Sequence, residues 1–282
     1  MTSPPPRACI MGHPVAHSRS PMLHGYWLRT LGIAGAYEFA DVAPENFEAF
    51  FRGLKANGFA GGNITIPHKE AAFRLVDRRE RAAEKIGAVN TVWYEGDTLV
   101  GGNTDWIGIV GALDDIHPGW DVKGGKAIVL GAGGSARASI YAFLERNLAV
   151  AVVNRTRERA EQLVSEFGAR VSSYGWDDVP ALLRDADVLI NNTSLGMQGK
   201  PPLVIDLSPL TSSAIVYDVV YVPLETALLK AAKARGLRTV DGLSMLLYQA
   251  VAGFAHWFGV TPKVTAEQRA LLEADIRAKT GT

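Results

Sequence analysis

Polar side chains that could bind and transform a small molecule lie in three short segments of the N-terminal part of the chain. Each segment follows a predicted strand, and ligands collect beyond the carboxyl ends of strands in open α/β sheets. The segments hold, in order, Ser18 and Ser20; Asn63, Thr65 and Lys69; and Asn90 followed by Asn103-Thr104-Asp105. Hydroxyls, amides, one Lys and one Asp suit a small polyhydroxylated acid, although each segment alone is also typical of ordinary turn and capping chemistry.

A glycine-rich segment, Gly131-Ala132-Gly133-Gly134-Ser135-Ala136, fits the G-x-G-x-x-G/A pattern of dinucleotide sites. It lies between a predicted strand at 126–130 and a predicted helix, as the pattern requires. Gly131 would allow the tight turn, Gly133 would let the backbone approach a diphosphate, and Ala136 would let the helix pack closely on the sheet. The helix N-terminus supplies N–H groups to the anion. The segment predicts a dinucleotide cofactor, the alternative being a glycine-rich loop without a ligand.

The residues that follow the next strand favour NADP over NAD. NAD enzymes place an acidic residue there to bind the ribose 2′-OH. Here the segment is Asn154-Arg155-Thr156-Arg157-Glu158-Arg159, with no acid before Glu158. Arg155 and Arg159 are one helical turn apart, and guanidinium groups match phosphate geometry. A solvated basic face is the alternative, but arginines at a helix start oppose the helix dipole, which suggests a bound anion.

The elements that must position these residues alternate between short apolar runs and helical patterns. In the N-terminal part we predict strands at 8–11, 37–42 and 61–66, helices at 21–31 and 45–57, and a hairpin that turns at Glu95-Gly96-Asp97. Beyond residue 126 we predict strands at 149–153, 188–191, 215–219 and 238–240, and helices at 157–167 and 224–235. This second alternation of strands and helices is typical of a doubly wound nucleotide-binding domain.

The pattern therefore predicts an α/β protein of two domains. A substrate-binding domain at 1–104, completed by C-terminal helices at 241–282, would have a mostly parallel sheet. A Rossmann NADP-binding domain would occupy 105–240, and the active site would lie in the interdomain cleft.

Composition and charge exclude several classes of function. Of 282 residues, 48% are hydrophobic, and 29 basic residues balance 29 acidic ones, so no charge block offers a surface to nucleic acid. The single cysteine, Cys9, rules out an internal disulfide framework and fits a reducing compartment, so we expect a cytoplasmic location. The uncharged stretch between Asp241 and Lys263 is long enough to cross a bilayer, but its polar residues and glycines favour a buried helix. No metal site is predicted, since no acid or cysteine supports the three histidines His13, His17 and His24.

From about Ile10 to Gly259 the sequence resembles the shikimate dehydrogenase family. The family's motifs S-x-S-P, N-x-T-x-P-x-K, G-A-x-N-T, N-T-D, G-A-G-G-x-x-R and N-R-T all occur, and D-G-x-x-M-L-x-x-Q is found at Asp241–Gln249. The resemblance implies an oxidoreductase that interconverts shikimate and 3-dehydroshikimate with NADP(H), in aromatic amino-acid biosynthesis. The C3 hydroxyl would become a ketone as hydride passes to NADP.

The resemblance also implies roles for individual residues. Ser18 and Ser20 would hold the substrate carboxylate, and further substrate contacts would come from Asn63, Thr65, Asn90, Tyr221 and Gln249. Lys69 and Asp105 would be the catalytic pair. We favour Lys69 as the group that takes the hydroxyl proton, with Asp105 orienting it, but a coupled pair titrates jointly and the reverse division stays open.

The cofactor contacts that we expect combine the two motifs above with later segments of the family pattern. They are Gly131, Ala132, Gly133, Gly134, Ser135, Ala136, Asn154, Arg155, Thr156, Arg159, Thr193, Ser194, Met197 and Gly242. By the same resemblance, residues 191–197 and 217–221 would form walls of the nicotinamide pocket.

Trp106 departs from the family, which usually has glycine after N-T-D. The indole either narrows the site or packs against the interdomain helix, so a quinate/shikimate paralogue with altered substrate is an alternative. A methylenetetrahydrofolate dehydrogenase-like enzyme is disfavoured by the two-serine motif, and a non-catalytic shikimate- and NADP-binding regulator by the presence of Lys69 and Asp105. The expected partner is a small-molecule substrate, with neither nucleic acid nor membrane, in a monomer or homodimer.

Overall fold

The structure, a computed structural model, describes residues 4–280. It divides into two compact units, each built around a six-stranded sheet. The first unit runs to Thr104 and includes Leu247–Leu272, and the second comprises Asp105–Leu246 and the chain from Glu273 on. The predicted fold class, two α/β domains of which one is a Rossmann domain, is confirmed.

The first unit has a mixed sheet in the order β2-β1-β3-β5-β6-β4. Its strands are β1 (Arg7–Gly12), β2 (Ala36–Asp41), β3 (Phe59–Ile64), β4 (Arg78–Arg79), β5 (Thr91–Glu95) and β6 (Thr98–Gly102). Its helices are α1 (Ser20–Thr30), α2 (Phe47–Arg52), α3 (Lys69–Leu75) and α4 (Arg81–Ile86). Strands β2, β1 and β3 are parallel, β5 is antiparallel to both β3 and β6, and β4 pairs with β6 in parallel.

Strand β1, which is paired on both sides, is covered by buried side chains. Cys9 and Met11 are fully buried in one hydrophobic core with Phe47, Phe51 and other apolar residues. Burial also raises the pKa of the Cys9 thiol to about 12. The apolar run that predicted a buried strand at 8–11 therefore does form one.

Two predicted elements of this unit are shorter or differently placed. The helix predicted at 45–57 is a 3-10 turn at Pro44–Asn46 followed by α2, which ends before Gly53 because glycine disfavours continuation of a helix. The strand predicted at 61–66 covers Phe59–Ile64. It stops there because Pro67, which follows closely, has no N–H to donate to a neighbouring strand.

The second unit has an all-parallel sheet in the order β12-β11-β10-β7-β8-β9. Its strands are β7 (Gly125–Leu130), β8 (Leu148–Val153), β9 (Val171–Tyr174), β10 (Val188–Asn191), β11 (Ile215–Asp218) and β12 (Arg238–Val240). Its helices are α5 (Asp105–Ile116), α6 (Gly134–Glu145), α7 (Arg157–Phe167), α8 (Val179–Leu182) and α9 (Ala227–Ala234). This is the Rossmann strand order, in which the switch point between β7 and β10 is where a dinucleotide binds.

Two longer helices complete the chain, α10 (Gly242–Phe258) and α11 (Ala266–Thr280). Within the first unit, Trp257 of α10 donates from Nε1 to the Val92 carbonyl at 2.8 Å, and Phe254 packs against Trp27 with ring centroids 5.3 Å apart. The apolar character of α10 therefore serves packing on the sheet. Within residues 4–280, no helix has both the length and the apolar surface that crossing a membrane needs.

Candidate active site and cofactor site

Asn63 lies near the end of β3, directly opposite Thr91 in the antiparallel β3–β5 pair. Its amide nitrogen donates to the Thr91 hydroxyl at 3.0 Å and to the Asn90 carbonyl at 3.2 Å. Its amide oxygen accepts from the Tyr37 hydroxyl at 2.7 Å. These three bonds fix the orientation of the Asn63 amide, which is 4% exposed.

Thr104 connects Asn90 to Gln249. The Thr104 backbone N–H donates to the Asn90 amide oxygen at 2.7 Å, and the Asn90 amide nitrogen donates to the Thr104 hydroxyl at 3.2 Å. The Thr104 hydroxyl lies 3.3 Å from the Gln249 amide oxygen. The structure thus brings three of the expected substrate contacts, Asn63, Asn90 and Gln249, into one buried hydrogen-bonded network.

The two serines of the S-x-S-P motif form a local turn at the start of α1. The Ser20 backbone N–H donates to the Ser18 hydroxyl at 3.2 Å. Burial raises the pKa of the Tyr37 phenol well above its usual value, and hydrogen bonding to Ser20 and Asn63 opposes that rise. Tyr37 joins the amide network through its hydrogen bond to Asn63.

Thr65 and Lys69 belong to the loop and helix that follow β3. The Thr65 backbone N–H donates to the Met11 carbonyl at 2.9 Å, and Lys69 is the first residue of α3. Next to Lys69, the buried His68 hydrogen-bonds through Nε2 to the Val42 carbonyl at 2.7 Å and stacks on Phe47, with centroids 4.1 Å apart. These contacts hold the start of α3 against the core and leave the Lys69 side chain half-buried.

In the second unit, Asp105 is the first residue of α5 and is 6% exposed. A carboxylate in the first turn of a helix interacts favourably with the helix dipole.

The glycine-rich segment forms the loop between β7 and α6 that the motif requires. Gly131 has φ +107°, a conformation that favours glycine, and its N–H donates to the Val153 carbonyl at 2.8 Å. A Cβ on Gly133, by contrast, would meet no atom within 4 Å. The fold itself leaves the space beside Gly133 open, and this fits the close approach of a diphosphate.

The rest of the loop attaches helix α6 to the sheet. Ala136 is fully buried, and the Ser135 hydroxyl donates to the Asn192 amide oxygen at 2.8 Å. Ala132 and Gly134 complete the turn and are half-buried.

The arginines after β8 differ in their partners. Arg157 pairs with Glu161 at 3.0 Å, whereas Arg155 and Arg159 form no ion pair within residues 4–280 and are exposed. The Asn154 side chain donates to the Thr156 carbonyl at 2.8 Å and shapes the turn into α7. Two free guanidinium groups at this turn can bind the 2′-phosphate of NADP.

The remaining expected cofactor contacts lie at the ends of β10 and β11 and at the start of α10. Thr193 donates from its backbone N–H and its hydroxyl to the Asn191 amide oxygen, at 3.0 and 2.7 Å. Gly242 packs so closely on the preceding loop that a Cβ there would lie 2.2 Å from the Val219 carbonyl oxygen. Ser194 and Met197 are exposed, and Tyr221 is half-buried.

Two further residues hold parts of the site in place: Tyr37, predicted only as part of a strand, and Asp218, which lies in the predicted pocket wall 217–221 without a role of its own. Tyr37 is 8% exposed and Asp218 fully buried. A buried phenol and a buried carboxylate both require hydrogen-bond partners, but the partners depend on strand register, which the sequence pattern does not give. Among the described residues, no three or more His, Cys, Asp and Glu side chains form a group that could hold a metal ion.

Comparison with known proteins decides the family. Residues 10–92 match the family model for the shikimate dehydrogenase substrate binding domain, residues 114–198 that for shikimate / quinate 5-dehydrogenase, and residues 242–272 that for the shikimate 5′-dehydrogenase C-terminal domain. A shikimate dehydrogenase (NADP(+)) of Azorhizobium caulinodans is 57% identical over 274 residues, which cover 97% of this chain and 98% of that protein. The chain belongs to the shikimate dehydrogenase family.

Solved structures of shikimate dehydrogenase family members share the fold along the whole chain. The shikimate 5-dehydrogenase of Thermus thermophilus, in complex with NADP(H) and shikimate, is 37% identical with a TM-score of 0.83 and covers 97% of this chain and 99% of its own. The quinate dehydrogenase of Corynebacterium glutamicum, in complex with NAD, is 29% identical with a TM-score of 0.87, over 96% and 99% of the two chains.

Trp106 directly follows the N-T-D motif of this shikimate dehydrogenase family member. Its indole packs edge-on against Tyr141 of α6, with centroids 5.4 Å apart and ring planes at 82°. Such a pair contributes about 1 kcal/mol beyond its buried area. The indole of Trp106 thus packs on α6 within the second unit.

Proposed function

We propose that this chain interconverts shikimate and 3-dehydroshikimate with NADP(H), a step of the shikimate pathway of aromatic amino-acid biosynthesis. The observation that carries the proposal is 57% identity to a shikimate dehydrogenase (NADP(+)) over 97% of the chain. The buried network of Asn63, Asn90 and Gln249 supports it, because fixed amides are suited to binding the hydroxyls of a small cyclic acid.

The residues present fit NADP. The open space at Gly133 and the N-terminus of α6 would take the diphosphate, and Arg155 and Arg159 the 2′-phosphate. Thr193 and Gly242 would border the nicotinamide. When bound, NADP+ supplies the acceptor for the hydride that leaves C3 of the substrate.

We assign the proton to Lys69. As the hydride leaves C3 with its electron pair, the O–H bond of the C3 hydroxyl breaks, its electrons form the carbonyl, and the proton goes to neutral Lys69 Nζ. In the reduction direction the charged Lys69 returns this proton. Asp105 would orient Lys69 and the substrate, and the opposite division of labour is the alternative for a coupled pair.

Ser18 and Ser20 would bind the substrate carboxylate, since both offer hydroxyl donors at the N-terminus of α1. Thr65 and Tyr221 would add further substrate contacts. In this proposal residues 1–104, completed by 241–282, form the substrate-binding domain, and 105–240 form the NADP-binding domain. We further propose that the enzyme acts in the cytoplasm as a monomer or homodimer.

Quinate is the second candidate substrate. The family model for residues 114–198 is described as shikimate / quinate 5-dehydrogenase, and a quinate dehydrogenase shares the fold with a TM-score of 0.87. That neighbour was solved with NAD, whereas Arg155 and Arg159 of this chain favour a phosphorylated dinucleotide.

A steady-state assay of shikimate and quinate, each with NADP+ and NAD+, tests the proposal. We expect kcat/KM to be greatest for shikimate with NADP+. Folded protein that turns over quinate with NAD+ and leaves shikimate untouched would establish the second candidate, and protein inactive on both substrates would refute the proposed function.

A further inference from the structure

We propose that Asp218 is a positioning residue for the nicotinamide end of the cofactor. Its carboxylate joins the end of β10, the loop after β11 and the start of α9, and the first two belong to the segments that would form walls of the nicotinamide pocket. The inference rests on the proposed use of NADP. Asp218 would touch neither cofactor nor substrate and would act through its hydrogen-bond partners.

Each carboxylate oxygen of Asp218 has its own donors. Oδ1 accepts from the Asn191 amide nitrogen at 2.9 Å and from the Val220 backbone N–H at 3.1 Å. Oδ2 accepts from the Thr226 hydroxyl at 2.7 Å. The three donors belong to the end of β10, to the loop after β11 and to the residue that caps α9, so one side chain joins three separate segments.

These partners pass the constraint on to the expected cofactor contacts. The Asn191 amide oxygen, which faces away from Asp218, accepts both bonds from Thr193, while its nitrogen also donates to the Leu195 carbonyl at 3.1 Å. Val220 directly precedes Tyr221. Thr226 accepts from the Leu229 N–H at 3.3 Å, which fixes the start of α9.

Asp218 and its three hydrogen-bond partners Asn191, Val220 and Thr226, here called the brace, lie where a Rossmann fold binds its ligand. Asp218 and Asn191 are the last residues of β11 and β10 and are direct neighbours in the parallel ladder. Both are fully buried. Ligands of open α/β sheets lie just outside the carboxyl ends of the strands, so the brace lies directly below that region.

The chemistry at Asp218 requires a carboxylate. All three partners donate, and an acidic side chain is the one of this size that accepts at both ends, since asparagine would present an amide nitrogen at one of them. Within residues 4–280 no cation pairs with Asp218, and burial raises its pKa to about 6. A buried carboxylate without a counter-ion is costly, and an apolar side chain would fill the site at lower cost if only packing mattered.

The test compares two probes on the Asp218→Asn variant by titration calorimetry. NADP+ contains the nicotinamide, whereas adenosine 2′,5′-bisphosphate has only the adenosine and the 2′-phosphate. We expect the Kd for NADP+ to rise about tenfold, while the Kd for the bisphosphate stays within about twofold of the wild-type value. An equal rise in both Kd values, or no change in either, would overturn the inference.

Two further variants separate positioning from general damage. Asp206→Asn is the matched control, because Asp206 is an exposed carboxylate of the same unit that accepts from Ser208, and it should leave both Kd values unchanged. If Asp218→Asn does not fold, Thr226→Val and Thr226→Ser decide the question. Thr226→Val should weaken the binding of NADP+ but not that of the bisphosphate, and Thr226→Ser, which keeps the hydroxyl, should bind NADP+ as the wild type does. Identical affinity for NADP+ in the two variants would refute the role of Asp218.

These measurements are independent of the proposed reaction. If the wild type fails to oxidise shikimate, but Asp218→Asn weakens the binding of NADP+ and not that of the bisphosphate, the proposed function is refuted and the role of Asp218 is supported. If the wild type oxidises shikimate, but Asp218→Asn changes the Kd values of both ligands equally or of neither, the function is supported and the role of Asp218 is refuted.

Discussion

At the scale of single residues, Lys69 carries the proton transfer of the proposed reaction. Lys69→Ala removes the amine but no packing of the buried core, since the side chain is half-buried at the start of α3. We expect kcat for shikimate oxidation to fall by about 100-fold to 10,000-fold, with KM changing far less.

Lys55→Ala is the matched control for this measurement. Lys55 belongs to the same unit and binds the Asp97 carboxylate at 2.6 Å and the Gly96 carbonyl at 2.9 Å on the β5–β6 hairpin. Its removal should leave kcat within about twofold of wild type, as an exposed ion pair contributes little. An unchanged kcat in Lys69→Ala would remove Lys69 from the chemistry.

Individual site residues were predictable to different degrees. Asn63, Asn90 and Gln249 were singled out from motifs, and the structure brings them into one network through Thr104. Tyr37 was placed only in a strand, because its bond to Asn63 joins residues 26 positions apart and depends on the register of β2 on β1 and β1 on β3. Composition and periodicity contain no information on that register.

At the scale of elements, the β7–α6 loop contains two glycines with different roles: the fold requires Gly131, whereas the bound diphosphate would require Gly133. Gly133→Ala should leave thermal stability nearly unchanged, because its Cβ would meet no atom within 4 Å. The same methyl group would occupy the path of the diphosphate, so we expect the Kd for NADP+ to rise at least about tenfold. Calorimetric binding and thermal unfolding of one preparation measure both quantities.

Gly131→Ala is the comparison variant for that experiment. Gly131 has φ +107°, and a Cβ there would lie 3.2 Å from the Asn192 carbonyl oxygen. This change should lower the free energy of unfolding by about 1–3 kcal/mol. Wild-type affinity for NADP+ in Gly133→Ala would argue against diphosphate binding at this loop.

The start of α7 offers a second element-scale test. Arg155→Ala should weaken NADP+ about tenfold or more and leave NAD+ nearly unchanged, because only NADP+ has a 2′-phosphate to pair with the guanidinium. Arg157→Ala is the control, since Arg157 already pairs with Glu161 at 3.0 Å. Equal loss of affinity for both dinucleotides, measured as Kd, would refute the role of Arg155.

Elements with a strong local signal were predicted at their observed bounds, and others were not. The helix at 157–167 and the strands at 188–191 and 238–240 coincide with α7, β10 and β12. The edge strand β9, Val171–Tyr174, was not predicted, because its serines interrupt the apolar pattern and its pairing with β8 alone makes it a strand. Tertiary pairing overrides local propensity most easily in such short segments.

At the scale of the whole molecule, Asp218 links stability to pH. Its pKa is about 6 in the folded protein, raised by burial, against a usual value of 3.8. Between these pH values the folded state keeps a proton that the unfolded state has lost, so the contribution of Asp218 to stability falls as the pH rises through this window. None of its partners Asn191, Val220 and Thr226 titrates there.

Comparison with Asp218→Asn, which cannot titrate, isolates this effect. The free energy of unfolding of the wild type minus that of the variant should fall by about 2 kcal/mol between about pH 4 and about pH 7. Urea unfolding of both proteins across this range measures the difference. A difference independent of pH would show that Asp218 has an ordinary pKa in the folded state.

The burial of Cys9 has a consequence for how the molecule can be observed. The thiol is fully buried in β1, and its raised pKa keeps it protonated and unreactive in the folded state. A thiol reagent can therefore react only after the first unit opens, and the sequence contains no second cysteine to add background. The rate at which a thiol reagent labels the native protein would therefore report how often β1 becomes exposed, so Cys9 is a built-in probe for opening of the first unit.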